Sequence, residues 1–553
     1  MIPPEAGTVV DCFLSHPERV HFTFDHGNGH TREYPGPQLA VEAAGLALHF
    51  RRLGVVPGDR VAVVVPTSEP LLRTIVAAWF ARAAIVVLPH RLGGARSAAS
   101  ADKLQRMIAK VSPRIVVGYA EVEATVRAAL GADQHYLAAE KLGDIDPAAV
   151  DDTMRPRPED LAVLQFSSGS TREPRAVMIR QNQQLLHCDI ASRGTRYDSN
   201  SIIFNWLPVY HDFALAAGVV FPLASGLKCT MMPTECVVSD PIQWFKSIKR
   251  HGATISALTP SSVDLLTARI SKLTSDDEYF GLKYVWLAAE PVFPKRLQKS
   301  IKLLQPFLNI EEIIRPAYGL AEAVVAVSTT KIESSLRIEK ISRESFRTGA
   351  ITRTTSESDA IEFASCGTIV DTMLVKIVGP DELALKQPAR GKILIKGPTV
   401  TAGYWGENAP ILDDWLDTGD DGFMIDDQLY ICGRRKDVII RGGSNYDCSE
   451  IESEAMIAAQ EALLPISAIA VLSILDNSIQ RERVIVILEK ASNALITNES
   501  LGKLRADILQ RTGLLIDEFT VAPSKLPRTT SGKLQRSVCK NLFSELTQNR
   551  PNE

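Results

Sequence analysis

The sequence predicts an α/β protein in which a large N-terminal domain of doubly covered, mainly parallel sheets precedes a small α+β domain. Through most of the chain, short apolar runs of strand length alternate with amphipathic helical stretches, as in βαβ units. After residue 433 the order becomes helix, strand, strand, helix, which is typical of a separate α+β unit. The 553 residues are enough for several domains or subdomains with large cores.

The alternation begins near residue 39, where apolar residues recur at helical spacing up to Leu53 and Gly54 is expected at the helix C-cap. A strand at 61–65, a helix at 69–82 and a strand at 84–88 then form a βαβ unit. The remaining predicted elements are a helix at 102–111, strands at 114–117, 161–166, 202–206, 228–232, 253–259, 284–288 and 374–378, and, in the small domain, helices at 450–462 and 501–511 with strands at 467–474 and 483–488.

Composition excludes several classes of function. A net charge of −4 and a pI near 6.3 give no reason to expect a nucleic-acid or anionic-membrane partner. Eight scattered cysteines without a Cys-x-x-Cys pair argue against a zinc site or a disulfide framework and favour a reducing compartment. The start of the chain lacks a signal-peptide pattern, and the apolar region 61–89 is interrupted by prolines and charges. We therefore expect a cytoplasmic protein without integral membrane association.

A loop rich in small hydroxyl residues follows the predicted strand 161–166. It runs from Ser167 to Thr171 and is followed by Arg172 and Arg175. Backbone N–H groups, hydroxyls and positive charge together suit a polyphosphate. The Walker spacing of Gly-Lys-Ser/Thr is absent. Taken alone, such a run is more often an ordinary surface loop, so its meaning depends on motifs elsewhere.

Further motifs supply the chemistry that a nucleotide requires: an aromatic face for a base, a hard carboxylate for a hard cation, and a carboxylate with a guanidinium for ribose hydroxyls. They are Trp206-Leu-Pro-Val-Tyr-His-Asp212, Ala288-Ala-Glu-Pro-Val292, Pro316-Ala-Tyr-Gly-Leu-Ala-Glu322, Asp417-Thr-Gly-Asp420, Cys432-Gly-Arg-Arg-Lys436 and Leu526-Pro-Arg-Thr-Thr-Ser-Gly-Lys533. Each has a plain structural alternative as well: a helix cap for the His-Asp pair, a turn into a helix for Tyr-Gly-Leu-Ala-Glu, and a solvated face for the basic residues.

Together these motifs resemble the ANL adenylate-forming superfamily over nearly the whole chain, and most closely its fatty acyl-AMP ligases. Trp-Leu-Pro-x-Tyr-His-Asp is similar to the version of the motif in those ligases. The phosphate loop departs from the family pattern, because Arg172, Arg175 and Ala176 stand where Gly, Lys and Gly are usual. Arginine keeps the charge at position 175 but presents it as a planar fork.

The resemblance implies a role for each motif. The ATP phosphates would be bound by Ser167, Ser168, Gly169, Ser170, Thr171 and Arg175; the adenine pocket would be lined by Ala289, Glu290, Pro291, Ala317, Tyr318, Gly319, Leu320 and Ala321. Glu322 would hold Mg²⁺, and Asp420 and Arg434 would bind the ribose. Lys436 would lie at the hinge of a mobile small domain, and Lys533 would bridge the attacking carboxylate and the α-phosphate. His211 would stand at the mouth of the acyl pocket.

Spacing adds an expectation about the acyl acceptor. From Glu322 to Gly367 the chain runs 45 residues, through a charged, Ser/Thr-rich segment at 331–362. Fatty acyl-AMP ligases resemble this chain in carrying an insertion here, which is thought to restrain domain rotation and disfavour transfer to CoA. The alternative is a variable surface loop without function.

These observations predict an enzyme that uses ATP and Mg²⁺ to activate a fatty or other apolar carboxylic acid and passes the acyl group to the phosphopantetheine thiol of an acyl carrier protein. The predicted domains are 1–433 and 434–545, with a disordered tail at 546–553. Three alternatives stay open: an acyl-CoA ligase, a degenerate adenylate-binding module suggested by the altered phosphate loop, and, most distantly, an amino-acid-adenylating domain. Asp212, which follows the His, is a poor match to the aspartate that holds the substrate ammonium in such domains.

Overall fold

The structure is a computed structural model. It describes residues 2–3, 5–90, 98–167, 174–195, 197–332, 334–407, 415–441, 444–476, 481–491, 495–528 and 534–548. The strands of this part of the chain are β1 His21–Asp25, β2 Thr31–Pro35, β3 Arg60–Val64, β4 Ala84–Val87, β5 Ile115–Gly118, β6 His135–Ala138, β7 Leu161–Phe166, β8 Ala176–Arg180, β9 Ile202–Asn205, β10 Lys228–Met231, β11 Ile255–Leu258, β12 Tyr284–Leu287, β13 Ile314–Gly319, β14 Ala326–Thr329, β15 Ile338–Ser342, β16 Ala360–Ile369, β17 Leu374–Val378, β18 Gly391–Lys396, β19 Leu416–Ile425, β20 Gln428–Arg434, β21 Val438–Arg441, β22 Ser444–Asp447, β23 Ile466–Asp476, β24 Arg481–Lys490 and β25 Glu518–Val521.

Helices separate most of these strands. They are α1 Val9–Ser15, α2 Gly36–Arg52, α3 Glu69–Phe80, α4 Ala98–Val111, α5 Ala120–Arg127, α6 Gln181–Thr195, α7 Asp212–Leu215, α8 Phe221–Ser225, α9 Thr234–Ser239, α10 Ile242–Arg250, α11 Pro260–Thr267, α12 Pro294–Leu304, α13 Ile310–Ile313, α14 Arg343–Arg347, α15 Cys448–Glu461, α16 Asn498–Thr512 and α17 Arg536–Gln548. A π-helical turn at Ala216–Val220 joins α7 to α8.

The strands of the large domain form two main sheets. One has the order β6-β5-β3-β4-β7-β8, parallel except for the β7–β8 pair. The other has a parallel run, β1-β10-β9-β11-β12-β13, that continues into the antiparallel strands β14, β16, β20, β19, β18 and β17. The predicted α/β class is confirmed, and the parallel arrangement holds for β3–β7 and β9–β13.

The helices and strands that the sequence predicted are present to within a few residues, but many other elements were not predicted and some details differ. The C-cap of α2 is Leu53, and Gly54 follows it with a positive φ of +84°. The apolar stretch after His211 is interrupted by the π-helical turn, which apolar composition does not reveal. Helix α17 extends to Gln548, and residues 549–553 of the predicted tail lie outside the described residues.

The region 438–548 has hydrophobic clusters of its own, built around β23 and β24. The strand pair β21–β22 and the sheet β23-β24-β25 pack with α15, α16 and α17, which gives the predicted α+β arrangement. All eight cysteines lie in the described residues and none forms a disulfide. No described helix is long and apolar enough to span a membrane.

Candidate active site

A cavity of about 680 Å³ lies where several strands of both main sheets end. Ser167 follows β7, Trp206 follows β9, Thr259 follows β11 and Ala288 follows β12, and all four line the cavity. Residues just beyond the carboxyl ends of sheet strands are where α/β proteins usually bind ligands. The topology therefore brings motifs that are more than 100 residues apart in the chain to one cleft.

Most of the residues predicted for the site line this single cavity. They are Ser167, Arg175, His211, Ala289, Glu290, Ala317, Tyr318, Gly319, Leu320, Ala321, Glu322, Arg434 and Lys436. Asp420 is buried directly behind the wall, where it contacts two lining residues, whereas Pro291 is exposed at the surface and does not line the cavity. Ser168, Gly169, Ser170, Thr171 and Lys533 lie outside the described residues.

Asp420 connects two side chains at one corner of the cavity. The hydroxyl of Tyr318 donates a hydrogen bond of 2.6 Å to its Oδ2, and Nε of Arg434 lies 2.9 Å from its Oδ1. The register of β19 and β20 places Asp420 directly opposite Arg434. Burial, together with the adjacent Asp420 carboxylate, raises the pKa of Tyr318 well above its usual value. An aromatic ring, a carboxylate and a guanidinium are thus fixed together, as recognition of a nucleoside requires.

The backbone of the two motifs that the sequence predicts at the adenine pocket is constrained at two positions. Ala289 adopts a left-handed φ of +72°, a conformation that costs free energy for a residue with a Cβ. A Cβ on Gly319 would lie 1.5 Å from the carbonyl oxygen of Val325, so no other residue fits there. The carboxylate of Glu290 accepts hydrogen bonds from the backbone N–H and the hydroxyl of Ser261 at 2.8 and 2.7 Å. These motifs therefore contribute mainly shape and backbone groups to the cavity.

A network of four side chains forms another part of the wall: Arg175, Tyr404 and Glu322 line the cavity, and Glu407 contacts Arg175 without lining it. The guanidinium of Arg175 donates hydrogen bonds of 3.0 and 2.6 Å to the two carboxylate oxygens of Glu407, and it lies 3.4 Å above the ring of Tyr404. The Tyr404 hydroxyl in turn donates a hydrogen bond of 2.8 Å to Oε1 of Glu322. Glu407 raises the pKa of Arg175, so the guanidinium stays charged. The bidentate pair and the cation–π contact hold the arginine at the edge of the cavity.

Glu322 fits a cation that is shared with a ligand. Its Oε2 makes no hydrogen bond to any residue that the structure describes, while Tyr404 holds Oε1. In the same part of the chain, no cluster of three or more His, Cys, Asp or Glu side chains is arranged to hold a metal ion. Mg²⁺ commonly binds to one or two carboxylates together with substrate phosphates, so a single oriented carboxylate suits it.

The residue before His211 is held by β7, the strand that ends just before Ser167. The side chain of Gln165, which is 3% exposed, donates a hydrogen bond of 2.8 Å to the carbonyl oxygen of Tyr210. His211 is the N-cap residue of α7, and its ring packs 4.8 Å from that of Tyr210. The Oδ1 of Asp212 accepts a hydrogen bond of 2.7 Å from the backbone N–H of Phe213. The His-Asp pair thus lies at a helix start and lines the cavity as well.

The remaining wall forms an apolar compartment, which we define by Ile190 and Ala191 on α6, Ala217 in the π-helical turn, Phe221 on α8 and Trp286 on β12. The Phe221 ring meets that of Trp286 edge-on, with centroids 6.1 Å apart. Small residues on the helices leave space between these aromatic groups. The compartment can bury a hydrocarbon chain or ring.

Residues 13–405 match the family described as AMP-binding enzyme. The chain belongs to this family. A medium-chain-fatty-acid–acyl-carrier-protein ligase, JamA of Moorena producens, is 30% identical over 408 residues, which cover 70% of this chain and 69% of JamA. A Caulobacter vibrioides protein with the provisional name acyl-CoA synthetase is 28% identical over 524 residues, 92% of this chain and 90% of its own length. A structure from work on fatty acyl-adenylate ligases of E. coli and L. pneumophila aligns with a TM-score of 0.88 at 25% identity, covering 99% of both chains.

In this AMP-binding enzyme the segment 331–362 is not an irregular loop, at least where the structure describes it. Strand β15 pairs antiparallel with β16, and α14 follows directly. Arg343 of α14 lies 3.4 Å from Glu450 of α15. Arg347 donates a hydrogen bond of 3.1 Å to the carbonyl oxygen of Thr512, and its guanidinium lies 5.3 Å from the Tyr446 ring. The segment therefore holds the C-terminal region of the enzyme at several points.

The predicted hinge is polar and compact. Burial and the nearby Arg434 guanidinium lower the pKa of Lys436. Next to it, Asp437 lies 2.8 Å from Arg536, the first residue of α17. An ion pair between Asp437 and Arg536 thus connects the predicted hinge to the start of α17. Lys533 itself is outside the described residues.

Sequence reasoning missed two groups of cavity residues in this enzyme. Tyr404 and Glu407 lie in a stretch, Gly403-Tyr-Trp-Gly-Glu407, that carried no recognised chemistry. The only local signal is a tyrosine next to a glycine. An isolated β-bridge between Tyr404 and Val177 places it beside β8. The cavity-lining residues of α6, His187 among them, gave no signal because helical packing alone selects which of them face the cavity.

Proposed function

We propose that this AMP-binding enzyme activates a fatty or other apolar carboxylic acid with MgATP, giving acyl-AMP and pyrophosphate. It then transfers the acyl group to the phosphopantetheine thiol of an acyl carrier protein, which forms a thioester and releases AMP. One observation carries the proposal. A nucleotide corner built from Tyr318, Asp420 and Arg434 opens into the same cavity as the apolar compartment. The two substrates of an acid adenylation could therefore meet within one site.

In the proposed first step, a carboxylate oxygen of the acid attacks the α-phosphorus of ATP. The bond from the α-phosphorus to the bridging oxygen breaks, pyrophosphate leaves with the electron pair, and no proton has to move. The enzyme contributes mainly positioning and charge neutralisation. Asp420 and Arg434 would orient the ribose, and Lys533 would lie between the carboxylate and the α-phosphate. Mg²⁺, when bound, neutralises the phosphate oxygens.

The network at the phosphate edge has two roles in this scheme. The hydroxyl of Tyr404 orients the Glu322 carboxylate that would hold Mg²⁺. Arg175 would bind the β- and γ-phosphates, but its donors are engaged by the Glu407 carboxylate. Two carboxylate oxygens present the same bidentate acceptor geometry as a phosphate. Glu407 and the pyrophosphate group therefore compete for one guanidinium.

The choice of acceptor rests on the contacts of α14. Transfer of the acyl group requires the pantetheine thiol to reach the acyl-AMP, and in the proposed enzyme this follows rotation of the small domain. Arg343 and Arg347 hold that domain through Glu450 and Thr512. A carrier protein could compensate for the loss of these contacts with its own surface, whereas free CoA brings no protein surface.

Mass spectrometry of products tests the proposal directly. The purified protein is incubated with MgATP and a panel of fatty, aryl and amino acids, with CoA or a holo acyl carrier protein added in parallel. We expect acyl-AMP from an apolar acid and acyl transfer to the carrier but not to CoA. Acyl-CoA formation would support the acyl-CoA ligase alternative, which the Caulobacter vibrioides relative favours by name. Failure of every acid to form an adenylate would favour the non-catalytic alternative.

A further inference from the structure

Two buried polar atoms in the apolar half of the cavity have no hydrogen-bond partner among the described residues. They are Nδ1 of His187 on α6 and Nε1 of Trp206 after β9. His187 is 7% exposed and Trp206 is 3% exposed, and both line the cavity. Nε2 of His187 also makes no hydrogen bond to a described residue. Nδ1 of His187 and Nε1 of Trp206 expose almost no surface even with the cavity empty, so Nε2 is the imidazole nitrogen that is left to meet a ligand.

Such groups are costly, because an unsatisfied buried donor or acceptor loses its hydrogen bonds to water and gains nothing in exchange. Native proteins retain few of them, and each requires an explanation. A purely hydrocarbon substrate would leave His187 unsatisfied after binding as well. A leucine at this position would serve such a substrate better than a histidine does. The imidazole is therefore better explained by a polar group on the ligand.

The charge state of His187 indicates which kind of polar group on the ligand it could bind. Burial lowers the pKa of His187 to about 4, so the ring is neutral at physiological pH. A neutral imidazole offers one N–H donor and one lone pair, and an indole offers a donor only. None of the charged residues that line the cavity within the described part of the chain belongs to the apolar compartment. They lie at the proposed nucleotide and phosphate edges, at the predicted hinge or at the start of α7, and are Arg175, Asp212, Glu290, Glu322, Asp417, Arg434, Arg435 and Lys436. A neutral hydroxyl group, which donates and accepts, matches this environment.

Given the proposed function, we propose that the acid this enzyme activates carries a hydroxyl group on its chain or ring, and that Nε2 of His187 recognises this hydroxyl. The apolar compartment formed by Ile190, Ala191, Ala217, Phe221 and Trp286 encloses the hydrocarbon part. A site built to bind a hydroxyl discriminates strongly against the analogue that lacks it, because its polar groups then stay unpaired. The proposal therefore names a specificity that can be measured.

The experiment compares matched acids in a pyrophosphate-release assay. Dodecanoate is paired with its 3-, 6-, 10- and 12-hydroxy derivatives, and phenylalkanoates are paired with their 4-hydroxyphenyl counterparts. We expect at least one hydroxylated acid to exceed its unsubstituted partner by about 10-fold or more in kcat/KM. His187→Leu should reduce that ratio to about 1 through KM for the hydroxylated acid, and His187→Gln should retain part of it. Glu311→Gln, an exposed change on α13 outside the cavity lining, should leave the ratio unchanged.

A stability measurement separates recognition from a structural role. If His187 serves the ligand, His187→Leu should melt at the same temperature as the wild type or higher at pH 7.5, and the preferred hydroxylated acid should raise the melting temperature of the wild type more than that of the variant. The proposal would be overturned if every unsubstituted acid matched or exceeded its hydroxylated partners in kcat/KM. It would also be overturned if His187→Leu left the ratio of the two kcat/KM values unchanged. Absence of pyrophosphate release with any acid would instead overturn the proposed function.

Discussion

The two halves of the cavity are built in opposite ways. In the half that we propose binds the nucleotide, here called the nucleotide side, Tyr318, Asp420 and Arg434 satisfy one another at 2.6 and 2.9 Å, and Tyr404 holds Glu322 at 2.8 Å. On the acyl side the wall is apolar, and its polar atoms on His187 and Trp206 have no partner in the described part of the chain. One half is preorganised before any ligand arrives, and the other depends on the ligand for its hydrogen bonds.

This difference indicates where each half obtains its selectivity. Preorganised charges can stabilise a transition state without reorganisation, so the nucleotide side should control the rate of the chemical step. A compartment with a few polar groups among apolar walls selects by fit and by pairing, so the acyl side should control which acid is used. Variants on the two sides should therefore differ in the kinetic parameter that they change.

The largest effect is expected at Glu322. Glu322→Gln removes the charge that would hold Mg²⁺ but keeps an oxygen that can accept from Tyr404, so the local packing should survive. We expect a loss of about 10²- to 10³-fold in kcat for pyrophosphate release with every acid, comparable to deleting one preorganised electrostatic group. Glu311→Gln, an exposed change on α13, is the matched control. A loss confined to one acid would break the distinction between the two halves.

The two halves also differ in how far the sequence predicted them. The residues of the nucleotide side lie in short contiguous motifs, and the structure places Tyr318 and Glu322 on one cavity with Asp420 directly behind its wall. The lining of the acyl side comes from single residues on α6, the π-helical turn and β12. Their selection depends on how helices pack across the sheet, which periodicity does not specify. The same limit applies to Tyr404, which tertiary pairing with Val177 alone brings to the site.

A pH experiment tests the unpartnered state of His187. Burial lowers its pKa to about 4, whereas an unfolded histidine titrates near 6.5, so between these values the unfolded chain binds more protons. Stability from this group is therefore complete above about pH 6.5 and is lost as the pH falls towards 4. His187→Leu should be less sensitive than the wild type to acidification from pH 7.5 to 4.5, by about 2 to 3 kcal/mol in the free energy of unfolding.

Urea unfolding of both proteins at the two pH values measures this difference, because all other titrating groups are shared. An equal loss of stability in the wild type and in His187→Leu would mean that the imidazole has a polar partner or is reached by water. The acyl side would then be as well satisfied as the nucleotide side, and the comparison between them would fail.

The next effect concerns acyl length. Ala217 lies in the π-helical turn, is 7% exposed and lines the compartment. Ala217→Phe should fill the space beyond the first carbons, so that kcat/KM for long acids falls by about 10- to 100-fold while short acids stay within about 3-fold of the wild type. Turnover with butanoate serves as the internal control for folding. An equal loss for butanoate and hexadecanoate would place the hydrocarbon chain elsewhere.

The smallest effect is expected at Glu407, where the nucleotide side carries its own competitor. Glu407→Gln weakens the bidentate pair with Arg175 and leaves the stacking on Tyr404, so the guanidinium becomes available to phosphate. Since the pair is partly exposed, its loss is worth less than about 1 kcal/mol, and KM for MgATP should fall by about 2- to 5-fold at low salt. The gain in apparent affinity for MgATP should shrink as ionic strength rises.

Tyr404→Phe is the informative counterpart, because it keeps the stacked ring but removes the hydrogen bond to Glu322. This variant should lower kcat without lowering KM for MgATP. If Glu407→Gln instead raises KM, then Glu407 holds Arg175 in its phosphate-binding position and does not compete with the nucleotide for it.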